Sequence, residues 1–151
     1  MSSAHITAAP GSLGAFLRYN ADMSSVFTKI INGELPSHKV YEDDKTFAFL
    51  DIHPVQPGHT LVVPKVEVDH LEDLDDETYV ALMRAARKVM KHMRAVLKVN
   101  RVCLLVEGFE APHVHVKLIP CNEAADLFVK PDTTKEPDRQ ALAKMAKRLA
   151  L

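Results

Sequence analysis

The stretch LDDETYVALMRAARKVMKHMRAVLK, residues 74 to 98, constrains this chain more than any other. Tyr79, Leu82, Met83, Ala86, Met90, Met93 and Leu97 recur at the 3.6-residue period and form one apolar face. Asp75 suits the cap, Asp76 and Glu77 suit the positive end of the helix dipole, and Lys91, Arg94 and Lys98 load the last turns. Leu74 and Tyr79 are spaced for a hydrophobic staple. A helix of this kind needs a partner surface for its apolar face. Short β-prone runs surround it: HKVYED, TFAFLDI and HTLVVPK before, RVCLLVEG and HVHVKLIP after. Asp43-Asp44-Lys45 and HPVQPG mark turns, and links this short favour antiparallel neighbours. A short helix opens at VFTKII and stops at Asn32-Gly33. A last helix has Pro137 near its first turn and Ala141, Leu142, Met145 and Leu149 as its stripe. The prediction is an α+β fold: a five-stranded antiparallel sheet with the long amphipathic helix packed on it, plus a C-terminal helix.

Three segments are expected: a flexible N-terminal tail over 1–24, a folded domain over 25–122, and a C-terminal extension with its helix over 123–151. The 19 basic and 20 acidic residues leave a net charge of -1, which gives no electrostatic reason to bind bulk nucleic acid. No run approaches the roughly 18 apolar residues that a membrane span needs. Residues 1–22 lack the basic and apolar regions of a secretory signal. Cys103 and Cys121 are too few for a disulfide framework and read as reduced thiols, one in a strand and one in a loop. A cytoplasmic protein is expected.

Chemistry concentrates in APHVHVKLIP, residues 111 to 120. Alternate residues of a strand share a face, so His113, His115, Lys117 and Ile119 point one way and Val114, Val116 and Leu118 the other. Neighbours on one face lie about 6.5–7 Å apart, so two imidazoles and an ammonium span about 13 Å. Such a row suits a phosphate chain. It also suits a solvated strand face, and two histidines at this spacing suit a metal ion, with His59 a third donor. Spacing alone leaves these readings open. His38, His70 and His92 fall among charged residues and read as surface, and His53 as a solvated loop residue.

The runs FTKIINGELPSHKVYEDDKTFAFLDIHPVQPGHTLVVPK and VEGFEAPHVHVKLIP resemble the histidine triad nucleotide-binding family, over about residues 26–121. Its signature is three histidines separated by single apolar residues. The resemblance implies that His115 is the nucleophile, His113 the first triad histidine, and His59 a residue backing the triad. It implies that Asp51 holds the ribose and that Phe27, Phe49, Ile52 and Leu61 surround the base. The ligand implied is a purine nucleotide or a nucleoside phosphate conjugate, of phosphoramidate or dinucleoside polyphosphate type, and the assembly implied is a homodimer. No cofactor is implied. A neutral imidazole is a good nucleophile near pH 7, its reference pKa being about 6.5. His115 would attack the α-phosphorus, form a nucleotidyl-histidine and yield to water.

The pattern breaks in three places. Lys117 stands where the family has its third histidine. Lysine keeps a positive charge but, with a reference pKa of about 10.4, is a poor general acid unless burial or neighbouring imidazolium lowers it. Reduced turnover, or nucleotide binding without catalysis, is therefore expected beside the enzyme reading. The loop before the strand is EGFEAP rather than the family's more usual glycine-rich form. The C-x-x-C pair through which some bacterial members bind zinc is replaced by Ser25 and Thr28, so no such metal site is expected.

Overall fold

The computed structural model describes residues 24–151, so the expected tail, apart from Ser24, lies outside the described residues. Helix α1 (Val26–Ile31) leads into β1 (Lys39–Glu42), β2 (Thr46–Leu50) and β3 (Thr60–Pro64). A 3-10 turn precedes the long helix α2 (Asp76–Leu97), and β4 (Arg101–Leu105) and β5 (Val116–Cys121) follow. A second 3-10 turn and α3 (Arg139–Leu149) complete the chain. The strands form one antiparallel sheet in the order β1-β2-β3-β5-β4. This is the expected α+β architecture.

Period-two alternation divides the side chains between two clusters. Ala48 and Leu50 of β2, Val62 of β3, and Val116 and Leu118 of β5 pack with Leu82, Ala85, Ala86, Val89 and Met93 of α2. Leu142 and Leu149 of α3 join the same cluster. Phe47 and Phe49 of β2 and Leu61 and Val63 of β3 point the other way, where Phe27 of α1 and Ala111 cover them. Burial of a full aliphatic side chain contributes about 1.5–3 kcal/mol, so the larger cluster carries most of the fold's stability.

The caps follow the sequence. Asp75 accepts the Thr78 N–H at 2.8 Å at the start of α2, and Asp138, with Pro137 just outside, caps α3 through the Ala141 N–H at 3.0 Å. Gly58 has φ +95°, and a Cβ there would sit 2.9 Å from Leu97 Cδ1, so only glycine fits between β3 and the end of α2.

Four expectations need correction. Strand β5 begins at Val116, so His113 and His115 lie in the segment that enters the strand. The buried face of α2 is rotated toward Thr78, Ala85 and Val89, which leaves Tyr79 43% exposed and outside the main cluster. His38 and His92 are half-buried, because each borders a residue of the main core, Lys39–Val40 and Met93. Cys121 is the buried last residue of β5 and not a loop thiol; burial and the nearby Cys103 raise its pKa to about 11.

Candidate functional site

The site grows where β5 meets β3. Leu61 is paired with Lys117 across the two strands, so His59, Leu61 and Lys117 share the face of the smaller cluster. His113 and His115 belong to that face too, but they are not solvated. His113, His115 and Lys117 are 0%, 1% and 9% exposed, because α1, the phenylalanines and the loop 107–112 close over them. Of the readings that spacing left open, the solvated strand face is ruled out, since these side chains lie in an interior.

Burial makes every hydrogen bond of these rings accountable. His113 donates Nε2–H to the Pro64 carbonyl at 2.8 Å, which leaves Nδ1 to accept the Ser25 hydroxyl at 2.7 Å. The same Ser25 Oγ caps α1 by accepting the Thr28 N–H at 3.1 Å. Glu67 accepts the Ser25 N–H at 3.0 Å and also the Thr28 hydroxyl. Burial opposes ionisation of Glu67, but these donors win and hold its pKa below the usual carboxylate value. Burial lowers the pKa of His113 despite the Pro64 carbonyl, so the ring is neutral. Sequence reasoning saw Ser25 and Thr28 only as missing cysteines and passed over Glu67. A serine ahead of VFTKII has the chemistry of a helix cap, a signal that was available but unused, and nothing local links it to His113.

His115 donates Nδ1–H to the His113 carbonyl at 2.8 Å. Its Nε2 therefore carries the lone pair, and that atom is buried without a partner among the described residues. The Phe27 ring stands edge-on, 5.0 Å from the imidazole. In His59 the roles are reversed. Its Nδ1 accepts the Val55 N–H at 3.2 Å, so Nε2 carries the proton, and it too is buried without a partner. Burial lowers the His59 pKa against the pull of Asp51, whose carboxylate is 3.9 Å away. The site thus offers one free imidazole lone pair and one free imidazole N–H.

Lys117 makes ion pairs with Glu107 at 2.5 Å and Glu110 at 3.4 Å. Burial alone would lower its pKa, but the two carboxylates outweigh burial and raise it. The condition under which Lys117 would be a useful general acid is therefore not met, since the charges that face it are acidic and keep it protonated. Glu110 was missed by sequence reasoning, and Glu107 was seen without a role. Both hang on the loop that turns at Gly108, whose φ is +77°.

Glu107, Glu110 and His115 each offer one ligand atom, all within 4.8 Å of one another, and are the group among the described residues with the spacing to hold a cation. His113 does not join, since Ser25 and Pro64 occupy both its nitrogens. Phe27, Phe49 and Leu61 come together as expected, with Phe47, Val63 and Ala111 added to them. Ile52 is 50% exposed and outside that cluster, because β2 ends at Leu50 and the chain turns away. Asp51 stands beside His59 and accepts the His53 N–H at 2.8 Å, and His53 is half-buried. A cavity of about 610 Å³ opens at His115, walled by the 107–112 loop and residues 69–72.

Beside a five-stranded antiparallel sheet, the H-x-H segment brings His115, whose Nε2 has no partner among the described residues, to the wall of a cavity. The HIT domain family matches residues 32–124. The chain belongs to the HIT family. It is 34% identical over 132 residues to an adenosine 5′-monophosphoramidase of Saccharomyces cerevisiae, covering 85% of this chain and 82% of that protein. An uncharacterized HIT-like protein of Methanocaldococcus jannaschii is 34% identical over 126 residues, covering 81% of this chain and 98% of that one. Among solved structures, a hypothetical histidine triad nucleotide-binding protein from Sulfolobus tokodaii superposes with a TM-score of 0.71 at 32% identity, covering 82% of this chain and 87% of that chain.

Proposed function

We propose that this protein hydrolyses a nucleoside phosphate conjugate by attack of His115 Nε2 on the α-phosphorus. The observation that carries this reading is the hydrogen bond from His115 Nδ1–H to the His113 carbonyl, which fixes the tautomer and leaves the nucleophilic lone pair free. As the N–P bond forms, the bond from phosphorus to the leaving group breaks and its electron pair departs with that group. Water then attacks the nucleotidyl-histidine, the pair returns to Nε2, and a nucleoside monophosphate is released. His59 Nε2–H is a donor for the negative charge that develops on the phosphate oxygens. Phe27, Phe49 and Leu61 form the apolar seat for a purine base, and Asp51 accepts from the ribose hydroxyls. The S. cerevisiae relative, an adenosine 5′-monophosphoramidase, supports a conjugate of adenosine monophosphate.

Lys117, in the place of the family's third histidine, binds and neutralises charge but does not deliver a proton, since its carboxylate partners hold it protonated. That same observation favours a second reading, a nucleotide-binding protein with weakened catalysis. Turnover of a fluorogenic adenosine phosphoramidate separates the two. Hydrolysis that disappears in His115→Ala supports the enzyme; saturable binding of adenosine monophosphate with no turnover supports the weakened form.

The reading includes a homodimer formed through the β4 edge, where Leu104 and Leu105 are exposed, and through α2, where Met90 is half-buried. Sedimentation at micromolar concentration tests it, and a monomer there would defeat it. A cytoplasmic location goes with the two free thiols. Among the described residues no helix is long and apolar enough to cross a membrane.

A further inference from the structure

We infer that the cavity at His115 selects conjugates whose leaving group carries a positive charge and disfavours polyphosphate leaving groups. The inference rests on the phosphoryl-transfer reading above and names the substrate class for it. Four carboxylates, Asp69, Glu72, Glu107 and Glu110, line this cavity together with His115, whose Nε2 is buried and without a partner among the described residues. None of Phe27, Phe49 and Leu61 lines it, so the apolar seat and the acidic wall are separate parts of the site. A phosphate at His115 belongs to both, and what lies beyond the scissile bond belongs to the acidic wall.

The charge balance decides the chemistry. Lys117 supplies one ammonium, already bound to Glu107 and Glu110, and His70 lies 3.6 Å from Asp69 at an exposed position. Carboxylate oxygens of Glu107 and Glu110 lie within 4.8 Å of the His115 ligand nitrogen. An incoming phosphate adds negative charge to that cluster. A leaving group with an ammonium offsets it; a polyphosphate adds more of the same sign, and like charges brought together in a cleft discriminate strongly. In the reaction the P–N bond breaks with its electron pair on the departing nitrogen, which takes a proton from water. The remote ammonium is not consumed and serves recognition alone.

The test uses three adenosine 5′-phosphoramidates of equal chain length, with EDTA present: one of a diamine with a protonated free end, one of a neutral alkylamine, one of an ω-amino acid with a free carboxylate. The expected order of kcat/KM is cationic, neutral, anionic, with at least about fivefold between successive members. The range should narrow in 0.5 M salt, as screening requires. It should also narrow in an Asp69→Asn, Glu72→Gln double variant, whose substituted positions are exposed and outside the core. Equal rates for the three conjugates, or an order that the double variant leaves unmoved, would overturn the inference while the hydrolase reading stands. Cleavage of none of the three would overturn both.

Discussion

The two faces of the sheet obey one alternation rule but are finished differently. On the α2 face, Ala48, Leu50, Val62, Val116 and Leu118 meet an apolar helix stripe. On the other face, Phe47, Phe49, Leu61 and Val63 meet a short helix, a loop and three buried histidines. The first face is stabilised by area removed from water and is tolerant of detail. The second must satisfy each buried polar atom by a named partner, and it leaves two nitrogens, on His59 and His115, without one. Among the described residues a further such nitrogen is His92 Nε2 on α2, so it is the pair on one face, and not an orphan nitrogen alone, that fits the proposed ligand site.

Substitutions on the two faces should therefore separate activity from stability. His115→Ala is expected to lower kcat for an adenosine phosphoramidate by about 10³-fold or more with little change in melting temperature. If it lowered the melting temperature and spared kcat, the division between the faces would fail. Leu118→Ala, one residue away from Lys117 on the opposite face, should cost about 2–5 kcal/mol in urea unfolding and leave KM near its starting value. Ser25→Ala removes the shorter of the two hydroxyl contacts of His113 Nδ1, leaving Thr28 Oγ1 at 3.4 Å, and removes the α1 cap, so it should cost about 1–3 kcal/mol. It should also lower kcat about tenfold, by loosening the carbonyl that orients His115. Lys117→His should raise turnover of the same phosphoramidate at least about tenfold, by restoring a group that gives up a proton near neutral pH. An equal or lower rate would show that the ion pairs with Glu107 and Glu110, and not the missing proton donor, set the rate.

The smallest expected effect is on pH dependence. His59 and His113 have folded-state pKa values lowered, mainly by burial, below the ordinary 6.5. Below about pH 6.5 the unfolded chain then takes up protons that the folded chain refuses, so stability falls as pH drops through that value. Glu67 and Asp43, whose pKa values are lowered, add a second loss at more acidic pH, as their carboxylates become protonated. Urea midpoints between pH 8 and pH 5 should show the first loss, and His59→Gln should flatten it. A midpoint constant over that range would mean that neither ring is held neutral by the fold.

Much of this was legible beforehand. TFAFLDI and HTLVVPK are legible as strands, and the resemblance groups Phe27, Phe49 and Leu61, which the fold does bring into one cluster. Asp75 announced the start of α2. The errors lie where packing competes with a local signal. Tyr79 fits the helical period, yet the face that meets the sheet is rotated from it. Ile52 follows β2 in sequence, but the strand has ended before it. His113 and His115 keep the spacing of a strand face and are buried because distant segments cover them.

Local periodicity by itself determined that this chain builds an antiparallel sheet under a long helix, since the 2.0 and 3.6 periods are properties of neighbouring residues. It also set His113, His115 and Lys117 at fixed spacing. Only the tertiary structure decided what those three groups are. Ser25 and Glu67, 42 residues apart, meet to hold His113 as a neutral acceptor, and Glu107 and Glu110 turn back to keep Lys117 charged. Protonation state depends on what surrounds a group in space, and those surroundings come from parts of the chain that no local pattern connects.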